Sequence, residues 1–279
     1  MTAGTNRTGL GWLALAVLVF AGLTALLTAA GFVALARLAP AMLRGAGLGA
    51  EPAQVVLMLG SFALPGAALL LVWRLIYGQG PGALTGPPRR ALRQFGTVLA
   101  VAAPLAVFAL VLPNPDLGQP VPNLAPAIWL AWLVPGLVAL LVQVSVEEAV
   151  FRGFLQNRMA ARFRSRVLWL GLPALIFGVM HFDPRTVETA PFLIGIATLF
   201  GLIAGDLTAR SGTLGPAIAL HLVNNFLAIF CVSLGGGLSG LALYLYPEAP
   251  DGGALAAQAP AEALMLAILW LAARIALRR

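Results

Sequence analysis

The sequence predicts an all-α fold, a polytopic bundle of about eight transmembrane helices. Three observations predict it. The 279 residues are 60% hydrophobic and 10% charged, with a mean hydropathy of +0.94, whereas a soluble domain carries about 25% charged residues. The apolar residues gather into eight runs, and a helix needs about 20 such residues to cross a bilayer. All 17 basic residues are arginines, and most sit in the short stretches between the runs.

The runs follow in order. The first, roughly 9–35, is too long for a signal-peptide core and reads as a retained span. The second covers roughly 53–77 and the third 94–113. The fourth begins near 126 and runs into "VSVEEAVFRGFLQ", residues 144–156. The fifth covers roughly 166–182, the sixth 190–209, the seventh 214–234 and the eighth 256–276. Between them lie breaker-rich loops: "GQGPGALTGPPRR" at 78–90, "PNPDLGQPVPN" at 113–123 and "GGGLSG" at 235–240. No internal repeat and no separate soluble domain is expected.

With eight spans, both termini share one side. That side then holds every arginine except Arg37, Arg44 and Arg185. The positive-inside rule places it in the cytoplasm. The net charge of +7 therefore reports orientation, and no nucleic acid partner is expected. The loops 113–125 and 235–255 carry no arginine. With Asp116, Glu248 and Asp251 they are expected at the outer surface, with little chemistry. Cys231 stands alone, so no internal disulfide can form.

Ionisable and amide groups at membrane depth are rare and mark candidate sites. Three clusters qualify. In the first, Glu148 and Arg152 are four apart on one helix face, in the favourable order for an ion pair. Glu147 points about 100° away. It has a negative neighbour and, four residues on, Phe151 rather than a cation. The helix thus splits the two carboxylates: Glu148 is paired and Glu147 is a candidate general base. The competing reading is a helix end with a solvated salt bridge. The second cluster is "FGVMHFD", with Phe177 and His181 four apart. Taken alone, it is better explained as an interfacial histidine at the end of the fifth run. The third is "HLVNNF", with His221 and Asn225 on one face. They are either hydrogen-bonding glue between helices or donors aimed at a developing negative charge.

Hydropathy alone sets Glu147 near the inner surface and His181 near the outer one. A fourth helix continuing to about residue 162, bent at Pro135, brings them to similar depth and is the expectation adopted.

These residues resemble a known family. "EEAVFR" is similar to the Glu-Glu-x-x-x-Arg motif of the CPBP intramembrane proteases, the type II CAAX prenyl endopeptidase-like (Abi) family. "FGVMH" resembles its Phe-x-x-x-His motif and "HLVNN" its His-x-x-x-Asn motif. The stretch 201–225 resembles the family's Gly-rich approach to the last motif. Asp206 departs from the family there, and the sequence assigns it no role. The resemblance covers about 126–232. It implies a catalytic core in that segment, after three N-terminal helices in 1–125 and before an outer loop and last helix in 233–279.

The resemblance also implies roles. Glu147 would activate a water shared with His181. His221 and Asn225 would stabilise the oxyanion of a peptide bond under attack. Glu148 and Arg152 would order the first motif, and Phe151 and Phe177 would line the pocket. The family carries a metalloprotease label, yet the resemblance points to a metal-free site with no cofactor. The alternative is zinc held by Glu147, His181 and His221. The implied protein is an endopeptidase of a bacterial inner (cell) membrane, in contact with the lipid bilayer. Its substrate would be a membrane-associated peptide or protein, cleaved near the cytoplasmic side. Two rival readings stand beside it: a non-catalytic family member with an immunity or scaffold role, and a membrane transporter.

Overall fold

The structure, a computed structural model, describes residues 7, 9–43, 49–110, 118–184, 186–235, 237–246 and 250–278. Arg44, Asp116, Arg185, Glu248 and Arg279 lie outside the described residues.

Long apolar stretches leave the backbone no partner in lipid but itself, so they fold as helices. In chain order these are α1 (Leu10–Leu38), α2 (Pro52–Gly60), α3 (Ala63–Tyr77), α4 (Gly82–Thr85) and α5 (Pro88–Leu110). After β1 (Val121–Pro122) come α6 (Pro126–Glu148), α7 (Asn157–Arg162), α8 (Leu172–Val179), α9 (Ala190–Ser211) and α10 (Gly215–Phe226). Then follow β2 (Val232–Ser233), β3 (Tyr244–Leu245) and α11 (Gly252–Ala276).

Six helical stretches are long and apolar enough to cross a membrane: Leu10–Leu38, Pro52–Tyr77, Pro88–Leu110, Pro126–Arg162, Val187–Ser211 and Gly252–Ala276. The fifth and seventh runs form shorter apolar helices, Val167–Val179 and Gly215–Cys231. The eight runs are thus eight apolar helical stretches in an integral helical membrane bundle. The second is interrupted by a turn at Ser61–Phe62. The three two-residue strands were not expected. They form a small sheet in the order β1-β3-β2, with β1 antiparallel and β2 parallel to β3.

The long fourth helix is present. α6 passes through Pro135 and continues, by a π-helical stretch at Ala149–Gln156, into α7. Shorter π-helical stretches occupy Val167–Gly171, leading into α8, and Leu227–Cys231, extending α10. α10 packs against α5, α6 and α9, and α8 packs closely on α9. Small residues permit that second approach, as is usual between membrane helices. A Cβ on Gly201 would lie 2.9 Å from Ala174 Cα, and one on Gly178 would lie 2.0 Å from Thr198 Oγ1.

Arginines gather at one end of the bundle, as the sequence predicted. Arg74, Arg210 and Arg274 lie in the last turns of α3, α9 and α11. Arg7 donates to the Ile76 carbonyl at the same end. Two arginines do not belong with the loop cations. Arg152 and Arg158 are buried, the first inside the candidate site and the second over the rings of Trp73 and Tyr77.

Candidate active site

The centre of the site is set where α6 passes into the π-helical stretch. Glu147 and Glu148 are the last two residues of α6, and Arg152 lies one turn further on. Arg152 Nη1 donates to Glu148 Oε1 at 3.1 Å, with the two side chains 2% and 0% exposed. The expected ion pair is formed, and it is dry. Breaking such a pair from one side leaves an uncompensated buried charge, which is why its two members hold each other in place.

α10 brings in the third member. It starts from a turn that is tied down by side chains. Thr213 Oγ1 donates to Gln94 Oε1 at 2.6 Å and accepts from the Gly215 N–H at 3.3 Å. Two turns later, His221 Nδ1 donates to Glu148 Oε1 at 2.8 Å. An ionised carboxylate can only accept, so this bond fixes the proton on Nδ1. The opposite ring nitrogen, Nε2, lies 3.6 Å from Glu147 Oε2. That gap is longer than a hydrogen bond. Glu147 Oε2 is a buried atom with no hydrogen-bond partner among the described residues.

In the sequence Glu147 has a negative neighbour and, four residues on, no cation, and the structure adds His221 from α10. The sequence placed Phe151 beside it but could not show His221 arriving from another helix. Glu148 also does more than balance Arg152, since it orients the imidazole that faces Glu147.

Aromatic rings close the site. Arg152 Cζ stands 4.6 Å above the Phe177 ring and 5.8 Å from those of Phe151 and Phe200. Phe151 meets Phe177 edge-on at 5.1 Å, and Phe200 packs on His221 at 4.8 Å. Phe151 and Phe177, which the resemblance gives as pocket residues, flank the Arg152 guanidinium. Phe200 was missed, because one more aromatic residue in an apolar run carries no distinguishing signal.

His181 sits in the turn after α8 and is exposed. Its ring packs on Phe177 at 4.8 Å, and the other side of Phe177 meets His221 at 5.9 Å. A carbonyl only accepts, so His181 Nδ1–H donates to Phe177 O, at 2.8 Å, and Nε2 is left as an acceptor. Among the described residues, His181 makes no hydrogen bond or ion pair with Glu147.

Asn225 lies one turn beyond His221. Its Nδ2 donates to Gln143 Oε1 at 3.3 Å. Gln143 is buried and four residues before Glu147, on the same face of α6. The sequence reading passed over it, although an amide in "LVALLVQVSVEE" one turn before a candidate glutamate was a usable signal.

The zinc alternative needs three grouped ligands. Among the described residues no three His, Cys, Asp or Glu side chains are grouped to hold a metal ion.

Asp206, unassigned by the sequence, lies apart from these residues. It accepts from Arg210 Nε at 2.8 Å and from Trp270 Nε1 at 3.0 Å, joining α9 to α11.

Comparison with known proteins agrees with the motifs. The chain is 30% identical over 124 residues to YyaK, an uncharacterized protein of Bacillus subtilis (strain 168). The aligned part is 43% of this chain and spans 41% of the relative's length. Residues 126–227 match the family described as type II CAAX prenyl endopeptidase Rce1-like. That segment runs from the first residue of α6 to just past α10, and it holds Gln143, Glu147, Glu148, Arg152, His181, His221 and Asn225. The similarity to that family is thus carried by the segment from the start of α6 to the end of α10.

Proposed function

We propose that the protein is an intramembrane endopeptidase that hydrolyses a peptide bond with a water activated by Glu147. The observation that carries the reading is the position of His221 between two glutamates, bonded to Glu148 and facing Glu147. The family supports protease chemistry in general, the positions of Glu147, His221 and Asn225 support the roles given to them, and the role of His181 rests on the resemblance.

Glu147 takes a proton from the water, whose oxygen attacks the peptide carbonyl carbon. The carbonyl oxygen becomes an oxyanion. When the C–N bond breaks, the proton passes from Glu147 to the leaving amine, and the new carboxylic acid gives its proton to solvent as a carboxylate and an amine depart. No serine or cysteine is acylated. His181 offers Nε2 as a second acceptor for the water. His221 and Asn225 supply donors to the oxyanion. Donation from His221 Nε2 requires a proton on both ring nitrogens, because Nδ1–H is given to Glu148. One hydrogen of the Asn225 amide is held by Gln143, which leaves the other for substrate. Neither a metal nor another cofactor takes part in this scheme.

The substrate is a membrane-associated peptide or protein. We place the site's entrance at the arginine-rich end and assign that end to the cytoplasm of a bacterial cell membrane, by the positive-inside rule. A cleft of ≈ 210 Å³ reaches Arg152 past Gln156, Trp169 and Thr208, and includes Ala160 and Gly212 near the arginine-rich helix ends. Membrane peptides from cells expressing the wild type are to be compared with those from cells expressing Glu147→Ala at equal protein level. Cleaved C-terminal fragments present only with the wild type are expected. Identical peptide profiles would remove the protease reading.

A further inference from the structure

A second cleft lies at the arginine-rich end, apart from the candidate active site. It encloses ≈ 330 Å³ between α5, α9 and α11 and is lined by Arg90, Gln94, Arg210, Ser211, Arg274 and Arg278. That volume is at the low end of small-molecule sites, which span roughly 300–1,000 Å³.

The charges are unbalanced. Arg210 is paired with Asp206. Among the described residues, Arg90, Arg274 and Arg278 have no carboxylate partner. Orientation explains arginines at this end of the bundle, but not their convergence on one hollow, where like charges repel. The helix dipole is not the reason either. Arg210 and Arg274 suit the last turns of α9 and α11, but Arg90 occupies the first turn of α5, where a cation opposes the dipole.

The cations are also held. Asp206 binds the Arg210 guanidinium through Nε, at 2.8 and 2.9 Å, and accepts from Trp270 Nε1 at 3.0 Å. Arg274 Cζ lies 4.7 Å above the Trp270 ring. One connected set of side chains therefore fixes two guanidiniums on two helices. The floor includes Gln94, buried and bonded to Thr213 Oγ1 and the Ser211 carbonyl.

We infer that this cleft binds a phosphate group. Guanidiniums match phosphate oxygens in pairs, and basic pockets between helix ends on one membrane face hold lipid headgroups. The same chemistry serves an anionic phospholipid or free phosphate. The inference stands independently of the peptidase reading.

The test uses the full chain in neutral detergent, followed by thermal melting. Phosphatidylglycerol, phosphatidylcholine and inorganic phosphate are added separately. Arg90→Gln/Arg278→Gln removes two cations from the cleft. Arg89→Gln/Arg93→Gln, at exposed residues that do not line it, is the charge-matched control. Phosphatidylglycerol is expected to raise the wild-type melting point by several degrees more than phosphatidylcholine. The cleft variant should lose most of that shift and the control should keep it. A shift with inorganic phosphate that only the cleft variant loses supports the same site with free phosphate as its ligand. The inference is overturned if neither phosphate probe stabilises the wild type beyond phosphatidylcholine, or if cleft and control variants respond alike.

Discussion

His221 Nδ1 lies 2.8 Å from Glu148 Oε1, the same oxygen that takes the Arg152 guanidinium at 3.1 Å. One buried carboxylate oxygen thus anchors a cation from its own helix and an imidazole from α10. Glu148→Ala should strand both partners and destabilise the fold by about 3–5 kcal/mol. Glu148→Gln keeps the shape and should fall between the two. Thermal melting in detergent reads the order, and a Glu148→Ala variant that melts with the wild type would show the pair to be unimportant.

Gln143 should matter to rate more than to fold. Gln143→Ala removes the acceptor for Asn225 Nδ2, a hydrogen bond worth about 1 kcal/mol of stability. If Asn225 serves an oxyanion, Asn225→Ala should lower kcat by roughly 10²-fold. Gln143→Ala should lower it by less, with KM nearly unchanged. Equal loss of stability and no change in kcat would reduce Gln143 to a structural role.

Two glycines of α9 should behave in opposite ways. Gly201 faces Ala174 at contact distance, whereas a Cβ on Gly195 meets nothing within 4 Å. Gly201→Leu should push α8 away and cost about 1–3 kcal/mol. Gly195→Ala should be neutral or stabilising by up to about 1 kcal/mol, since alanine is the better helix former. Melting of the two purified variants checks the contrast.

Activity should survive chelation. The scheme for Glu147 and His221 uses no metal, so incubation with EDTA followed by desalting should leave the cleavage rate unchanged. Loss of activity that zinc restores would return the site to the metalloprotease reading.

Most of the architecture was legible because it is written in hydropathy. Eight apolar runs became eight apolar helical stretches, and the arginines marked one end of the bundle. The Glu148–Arg152 pair was legible because it is local. The π-helical stretch at Ala149–Gln156 was not, since eight residues are too few for periodicity to separate helix types. Nor were the two-residue strands at Val121 and Tyr244, which lie in the loops 113–125 and 235–255, or at Val232, which lies at the end of the seventh apolar run. The contact of His221 with Glu148 joins residues 73 apart in sequence. It follows from how α10 packs on α6, which no local pattern records. Asp206 was seen as unusual, yet its partner Trp270 is on another helix, so its role emerged only in three dimensions.

The most direct measurement is the cleavage rate of a membrane-embedded peptide by the purified protein, wild type against Glu147→Gln, with melting points matched. The substitution preserves size and removes the base. A fall in kcat of about 10³-fold or more, within the range for loss of a positioned general base together with its charge, is the expected result. A Glu147→Gln protein that folds and cleaves at the wild-type rate would contradict the assignment of Glu147 as the group that activates water.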